Sequence, residues 1–224
     1  MLILGVDTSR KNGSIALVDC EAEGSRTLEV VSLEGGTFSA QLIPQIASLL
    51  HKHGMSKQQI DAFAVVSGPG SFTGLRVGLA AIKALAEILE KPIATVSMLE
   101  ATALAARAEG EVTAALDAGR GEVYFGTYSV QAHRAKRMDE EILSTRSLRE
   151  RAAGQQVVTA DLKLADVLHE GGVTVHTIHA PRADAIASIA FLKLQSGETV
   201  SPEVLDATYI RRSEAEIKFA ERVH

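Results

Sequence analysis

The hydrophobic and polar positions in the first half of the chain follow the order of an α/β domain. Short apolar runs bounded by polar turns predict strands, whereas apolar residues that recur every three or four positions predict helices. Between the first two strands, the polar segment 7–13 predicts a hairpin with a long tip. The predicted strands cover residues 2–6, 14–19, 28–33, 62–67 and 93–96, and the predicted helices cover residues 38–51, 75–89 and 98–107.

The second half begins with the same pattern as the first. An apolar run at 112–116 ends in Asp117, a polar tip follows at 118–121, and an alternating segment returns at 122–130. This order matches residues 2–19, about 110 positions earlier. Beyond it, strands are predicted at 141–143, 157–159 and 173–178, and helices at 147–153, 162–169, 183–195 and 214–223.

The repeated pattern predicts an α/β fold of two duplicated lobes. We assign residues 1–108 to an amino-terminal lobe and residues 109–224 to a carboxy-terminal lobe, and we allow for the last residues to pack back on the first lobe. A single doubly wound sheet remains the alternative at this point.

Charge and composition narrow the class of protein. The formal net charge is −5 and no basic patch is visible, so another subunit would have to supply most of any contact with nucleic acid. The single cysteine, Cys20, rules out an internal disulfide. The amino end does not have the pattern of a signal peptide, and no run of about 18 apolar residues predicts a membrane span, so we expect a cytoplasmic location without membrane contact.

A glycine-rich loop precedes the most apolar predicted helix. Its glycines include Gly68, Gly70 and Gly74, but the loop lacks the lysine of a phosphate-binding P-loop, and its spacing is one residue longer than the dinucleotide fingerprint. A helix amino terminus can still attract an anion. The residues alone favour the simpler interpretation, a strand-to-helix turn capped by Ser71 or Thr73.

The tips of the two predicted hairpins carry the other candidate chemistry. Asp7, Thr8, Ser9 and Gly13 could surround a phosphate, and Asp7 or Asp117 could hold hydrated magnesium at the end of a strand. The alternative is a solvated turn whose side chains cap their own backbone. We predict a weak, vestigial phosphate or nucleotide site formed by Asp7, Thr8, Ser9, Gly13, Gly68, Gly70 and Asp117.

The sequence does not favour a metal site or a hydrolase triad. None of the seven histidines has a second histidine four residues away on a predicted helix, and no Gly-x-Ser-x-Gly elbow is present. We therefore expect no resident metal and no cofactor beyond weak ATP or ADP with magnesium.

Several stretches, taken together, resemble one known family. They read ILGVDTS, SGPGSFTGLRVGLAAIKALA, KPIATVSMLEATA and LDAGRGEVY, with PEVLDATYIRR near the end. The set is similar to the TsaB (YeaZ) family of bacterial tRNA threonylcarbamoyladenosine biosynthesis proteins. The similarity is strong over the first 130 residues and looser beyond them.

The resemblance implies a two-lobed actin, sugar kinase and Hsp70-like (ASKHA) fold with RNase H-like lobes. It also implies a non-catalytic role beside a catalytic paralogue, TsaD, and an ATPase, TsaE. In that family the complex transfers threonylcarbamoyl to N6 of adenosine 37 in tRNAs that read ANN codons. The chain would then meet tRNA only through the complex.

The residues that match the paralogue's metal site test the non-catalytic role. The catalytic paralogue carries a His-x-x-x-His pair after the strand that follows the long helix, and Met98 and Thr102 stand at those places in this sequence. A thioether and a hydroxyl cannot replace two imidazoles on iron or zinc. A non-catalytic partner is thus favoured over a stand-alone ATP-dependent kinase of the same fold class and over a metal-dependent glycopeptidase-like hydrolase.

The long helix is also the predicted contact with a partner. Its charged residues Arg76, Lys83 and Glu87 form one narrow stripe, and a helix that is apolar on the rest of its circumference should be buried nearly all round. The resemblance implies that this helix and the helix at 38–51 pair with the same helices of the paralogue, or of a second copy when the chain is alone. Gly74, Gly78 and Ala81 add a groove of small residues where another helix could approach closely. Burial within one lobe is the alternative. The predicted interface residues are Phe38, Leu42, Ile46, Gly74, Leu75, Gly78, Leu79, Ile82 and Leu85.

Overall fold

Two five-stranded sheets form the framework of the protein, as seen in a computed structural model that describes residues 1–208 and 210. The first sheet has the order β3-β2-β1-β4-β5, and the second has the order β10-β9-β6-β7-β8. The strands of the first sheet are β1 Leu2–Asp7, β2 Gly13–Glu21, β3 Gly24–Leu33, β4 Ala62–Gly68 and β5 Ile93–Ser97. Those of the second are β6 Gly110–Gly119, β7 Glu122–Gln131, β8 Arg134–Ser144, β9 Gln156–Thr159 and β10 Thr174–Thr177.

Helices connect and cover the strands of both sheets. Within the described residues they are α1 Phe38–Lys52, α2 Phe72–Leu89, α3 Met98–Ala105, α4 Thr145–Arg151, α5 Leu162–Glu170 and α6 Ala183–Gln195. Short 3-10 turns lie at Lys57–Gln59 and Pro202–Val204. The helix predicted at 214–223 lies outside the described residues.

The two sheets share one topology, which confirms the predicted duplication. In each, a three-stranded antiparallel meander is followed by two parallel strands on the other side of the first strand. Thus β1 pairs antiparallel with β2 and parallel with β4, and β6 pairs in the same way with β7 and β9. The fold is the two-lobed arrangement of RNase H-like units found in the actin, sugar kinase and Hsp70 class. The alternative of a single doubly wound sheet is wrong.

Strand β8 is much longer than its sequence pattern predicts. Only residues 141–143 were expected to be extended, whereas the strand spans Arg134–Ser144. It lies at the edge of the second sheet, so one of its sides has no neighbouring strand among residues 1–208 and 210, and most of its charged side chains reach water. Charged residues are a normal protection of such an edge, and they remove the apolar alternation on which the prediction relied.

The helices of the first lobe lie on both faces of its sheet. A Cβ placed on Gly5 would meet the carbonyl oxygen of Ala183 in α6, whereas one placed on Gly13 would meet the Phe38 ring in α1. Successive residues of a strand point to opposite faces of the sheet. Ser14 pairs with Asp7 and so points to the same face as Asp7 and Gly5, whereas its neighbour Gly13 points to the opposite face. Helix α6 therefore covers one face and α1 covers the other, together with α2.

Helix α6 follows the second sheet in the chain but packs on the first. Its residues Ala183, Ile186 and Ala187 belong to the large core of the first lobe. The described carboxy end also returns there, since Leu205 is buried in the same core and the Thr208 amide donates to the Ser67 carbonyl at 2.7 Å. The division of the chain at residues 108 and 109 stays a prediction, and α6 packs across it.

Candidate functional site: the hairpin junction and the α1–α2 face

The glycine-rich loop begins α2 with a side-chain cap. The Ser71 hydroxyl accepts a hydrogen bond from the Gly74 amide at 3.3 Å, and the Ser71 amide donates to the Ser9 carbonyl at 2.6 Å. The loop is thus a capped strand-to-helix turn that is also fastened to the first hairpin tip. Thr73, the other predicted cap, is exposed.

Two glycines of α2 make room for the hairpin tip. The Thr8 hydroxyl donates to the Gly74 carbonyl at 2.7 Å. A Cβ on Gly74 would lie 2.0 Å from the Thr8 carbonyl oxygen, and one on Gly78 would lie 2.3 Å from Thr8 Oγ1. The predicted groove at Gly74 and Gly78 is therefore filled by Thr8 of the same lobe and is not open to a second helix.

The Asp7 carboxylate has protein partners on both oxygens. Its side chain has no exposed surface, and Oδ1 accepts hydrogen bonds from the Ser9 amide at 2.8 Å and the Ser9 hydroxyl at 2.6 Å. Oδ2 lies 3.1 Å from the Arg10 guanidinium, which also donates to the Pro181 carbonyl. Arg10 thus supplies the positive charge that magnesium would supply in an open site, and an incoming cation would have to displace it.

The other predicted phosphate-site residues divide into two places. A Cβ on Gly70 would lie 2.3 Å from the Ser9 carbonyl oxygen, and one on Gly13 would lie 2.6 Å from that of Asp7. Gly68 has a φ of +137° and approaches Thr208. These glycines close around the first hairpin tip and form with it what we call the hairpin junction. Asp117 is exposed at the second tip, where its Oδ1 accepts from the Gly119 amide.

A cleft of about 640 Å³ opens beside the hairpin junction. Arg10 and Lys11 line one side, and the α2 amino terminus with Ser71 and Thr73 lines another. Positive side chains and unpaired helix amides are groups that can attract an anion. The predicted weak phosphate site stays a prediction, and this cleft is where a phosphate could approach the junction without displacing Asp7.

The residues predicted to contact a partner are instead in the core of the first lobe. Leu79 is 5% exposed and Ile82 is 0% exposed. Helix α2 is covered by β4, by α1, by the hairpin tip and by the turn at Pro202–Val204, and together these bury more of its circumference than a sheet alone could. The internal residues are Phe38, Leu42, Ile46, Gly74, Leu75, Gly78, Leu79 and Ile82, with Leu85 half-buried. The prediction that the eight internal residues contact a partner is therefore wrong, and for Leu85 it stays a prediction.

The same two helices expose a different surface, which we call the α1–α2 face. It includes Ile43, which is 48% exposed, and Ile88, which is 71% exposed. The guanidinium of Arg76 lies 3.7 Å from the centroid of the exposed Phe72 ring. The exposed residues that define this face are Ser39, Ala40, Ile43, Pro44 and Ala47 of α1 and Phe72, Arg76, Ala80, Ala84 and Ile88 of α2.

Sequence reasoning missed the α1–α2 face because most of its residues are small. Alanines are as common inside a lobe as on its surface, so their spacing does not reveal which side of a helix meets water. The signal that could have found it is the run of Ala80, Ala84 and Ile88 at four-residue steps, paired with Ala40 and Pro44 on the neighbouring helix.

The stretch that matches the paralogue's metal pair is buried between the lobes. Met98 and Thr102 have no exposed surface, and the Thr102 hydroxyl donates to the Met98 carbonyl at 2.7 Å. Between them, Glu100 pairs with Lys193, whose Nζ lies 2.7 Å from Oε2. Burial raises the pKa of Glu100 above its usual range, and Lys193 partly opposes that rise. Across residues 1–208 and 210, no three His, Cys, Asp or Glu side chains group as metal ligands.

Comparison with known proteins places the chain among tRNA-modification proteins. Residues 35–191 match the sequence model of the family described as TsaD, tRNA N6-adenosine threonylcarbamoyltransferase. The tRNA threonylcarbamoyladenosine biosynthesis protein TsaB of Bacillus subtilis is 31% identical over 99% of both chains. The protein of the same name from Escherichia coli is 30% identical over 96% of both.

A solved structure of similar fold supports the same family. The structure of YeaZ from Pseudomonas aeruginosa has a TM-score of 0.74 and 26% identity, and the match covers 93% of this chain and all of the other. None of the described helices is long and apolar enough to cross a bilayer. Since relatives at this identity match over nearly the whole length of both chains, the chain belongs to the TsaB (YeaZ) family of tRNA threonylcarbamoyladenosine biosynthesis proteins.

Proposed function

We propose that this chain is a non-catalytic subunit of the complex that adds threonylcarbamoyl to N6 of adenosine 37 in tRNAs reading ANN codons. It pairs with a TsaD-like catalytic paralogue and assembles with a TsaE-like ATPase in the cytoplasm. Alone it forms a homodimer, and it meets tRNA only through the complex. Membership in the TsaB family supports a role in this tRNA modification. Met98 and Thr102, which stand where the paralogue has its metal-binding histidines, support the non-catalytic role.

The observation that carries the proposal is the composition of the α1–α2 face. Of the ten residues that define it, only Arg76 is charged, and its guanidinium is already stacked on Phe72. The exposed Glu87 lies beside Ala84 and Ile88 and is the charge at the border of this face. A contiguous exposed surface with large apolar and small residues is typical of a protein interface. The small residues Ala40, Ala80 and Ala84 would let helices of a partner approach closely.

The metal position supports the absence of catalysis by this chain. Met98 and Thr102 are fully buried, and Thr102 satisfies its hydroxyl on the backbone of its own helix. A metal at this place would need two new ligands and space that the core fills. This argues against the glycopeptidase-like hydrolase, and the paired Asp7 carboxylate gives no support to a stand-alone kinase.

Charge substitutions on the α1–α2 face test the proposal. We expect Ile43→Arg and Ala84→Arg to remain folded and to abolish both the homodimer and co-elution with the TsaD-like paralogue from the same genome. Val167→Arg is the matched control, since Val167 is a mid-helix residue of α5 that is 39% exposed on the other lobe. Sedimentation velocity and size-exclusion chromatography give the readout, and circular dichroism confirms folding. Unchanged assembly by both folded variants would contradict the proposal.

An activity assay tests the non-catalytic role separately. The purified chain, given tRNA and threonylcarbamoyl adenylate, should form no modified tRNA, whereas the paralogue-containing complex serves as the positive control. Modification by this chain alone would overturn the assignment.

A further inference from the structure

A chain of polar contacts runs between the two lobes at Ser97, the residue that caps α3. The Ser97 hydroxyl donates to Glu140 Oε1 at 2.9 Å, and the Ser97 amide donates to Glu100 Oε2 at 3.3 Å. Glu140 lies on β8 of the second sheet, while Ser97 ends β5 of the first. One residue therefore joins two carboxylates that come from different elements.

Each carboxylate also has a second partner. Tyr128 of β7 donates its hydroxyl to Glu140. Lys193 of α6 donates to Glu100 at 2.7 Å and to the Thr95 carbonyl at 3.1 Å. The network thus extends from β7 of the second sheet to β5 and α6 of the first. Arg137 lies 3.5 Å from Glu140. The pocket that Glu100 and Lys193 line is also lined by His133, Arg134, Lys136 and Glu198.

Helix α3 joins the same two lobes by apolar contacts. Met98 and Ala101 belong to the core of the first lobe, whereas Leu99 and Ala103 belong to a core of the second. All four are buried, so the helix has no face toward water at these positions. Glu100 lies in the middle of this helix, and its partner Lys193 extends the contact to α6.

We propose that Ser97 and Glu140, with the Glu100–Lys193 pair behind Ser97, form a clasp that fixes the arrangement of the two lobes, so that the chain acts as one rigid body and not as a hinged clamp. The carboxylate between Met98 and Thr102 has a conformational role in this chain. Every contact of the clasp lies within one chain, so the clasp does not depend on the proposed partner.

The clasp specifies geometry and adds little to stability. A buried ion pair loses hydration on both sides, and its attraction often only offsets that loss. Burial keeps the charged form of Glu100 unfavourable in spite of Lys193. Replacing the pair should therefore change how precisely the lobes are placed more than how strongly they fold.

Spin-label distances between the lobes test the clasp directly. Ala22→Cys and Asp166→Cys place exposed labels on the first and second lobes, and Ala22→Cys with Lys57→Cys gives a control distance within the first lobe. The native Cys20 is buried and its pKa is raised to about 11, mainly by burial, so it does not compete for the label. Dilution with unlabelled protein restricts the signal to pairs within one chain.

The unsubstituted protein should give one narrow interlobe distance that does not move when magnesium and ATP are added. Ser97→Ala, which removes the hydroxyl that donates to Glu140 across the lobes, and Lys193→Gln, which removes the partner of Glu100, should widen the interlobe distribution and leave the control distance and the circular dichroism unchanged. A folded variant with an unchanged interlobe width would overturn the proposal. Failure of both variants to fold would also overturn it, because the clasp would then be required for stability.

Discussion

The Thr8 hydroxyl donates a hydrogen bond to the Gly74 carbonyl and, in the same place, lies where a Cβ on Gly78 would have to go. Thr8 is thus fitted against two glycines in successive turns of α2, with its backbone carbonyl at Gly74 and its side chain at Gly78. The closeness of this contact requires both glycines, even though glycine usually weakens a helix interior.

Gly78→Ala tests this fit. The substitution would ordinarily stabilise a helix by about 1 kcal/mol, but its Cβ would lie 2.3 Å from Thr8 Oγ1. We expect overpacking to cost about 1–3 kcal/mol of unfolding free energy, measured by urea denaturation. In a Thr8→Ala background the hydroxyl is gone and the same change should become neutral or stabilising. An equal loss in both backgrounds would show that Thr8 is not the cause.

Ile82→Glu and Ala80→Glu should separate the core side of α2 from its outer side. Ile82 is 0% exposed, so an unpaired carboxylate there should cost more than about 3 kcal/mol and lower the melting temperature steeply. Ala80→Glu, two residues away and exposed, should leave folding intact. Thermal melts followed by circular dichroism distinguish the two. A folded Ile82→Glu protein that had lost only its dimer would restore the original interface assignment.

Calorimetry with magnesium and ATP checks the hairpin junction. Because Ser9 and Arg10 already bind the Asp7 carboxylate, we expect ATP to bind with a dissociation constant no lower than the micromolar range. This corresponds to a binding free energy of about −8 kcal/mol at most. Nanomolar affinity would show that the junction opens to a nucleotide.

The pH dependence of stability should reveal the burial of Glu100. Its pKa is raised above the ordinary 4.5 by burial, so the folded state holds a proton that the unfolded state has lost between 4.5 and the raised value. The contribution of Glu100 to stability is therefore complete below 4.5 and is lost as pH rises through the folded pKa. Urea titrations should show this slope in the unsubstituted protein, and a smaller one in Glu100→Gln. If the unfolding free energy changed equally with pH in both proteins, the raised pKa of Glu100 would not be the cause.

The hairpin pattern predicted the duplicated fold, because β1, β2, β6 and β7 are local pairings with a turn between them. The direction of each helix face was not predictable, since it depends on contacts distant in sequence. Gly78 was interpreted as part of a groove for another helix because nothing near it in sequence indicates Thr8. Asp7 was interpreted as a possible magnesium ligand although its partners Ser9 and Arg10 are close in sequence. What the sequence does not show is that Arg10 is also held by the Pro181 carbonyl, more than 170 residues away.

The position of α6 has a consequence for synthesis of the protein on the ribosome. All five strands of the first sheet are complete at Ser97, but the helix that covers the Gly5 side of that sheet ends only at Gln195. Until then the emerging first sheet presents Ile3 and its neighbours to water on one side, an aggregation-prone state. The nascent chain therefore carries a half-covered sheet while the entire second sheet is being made, and a chaperone that binds apolar strands would have its target during that interval.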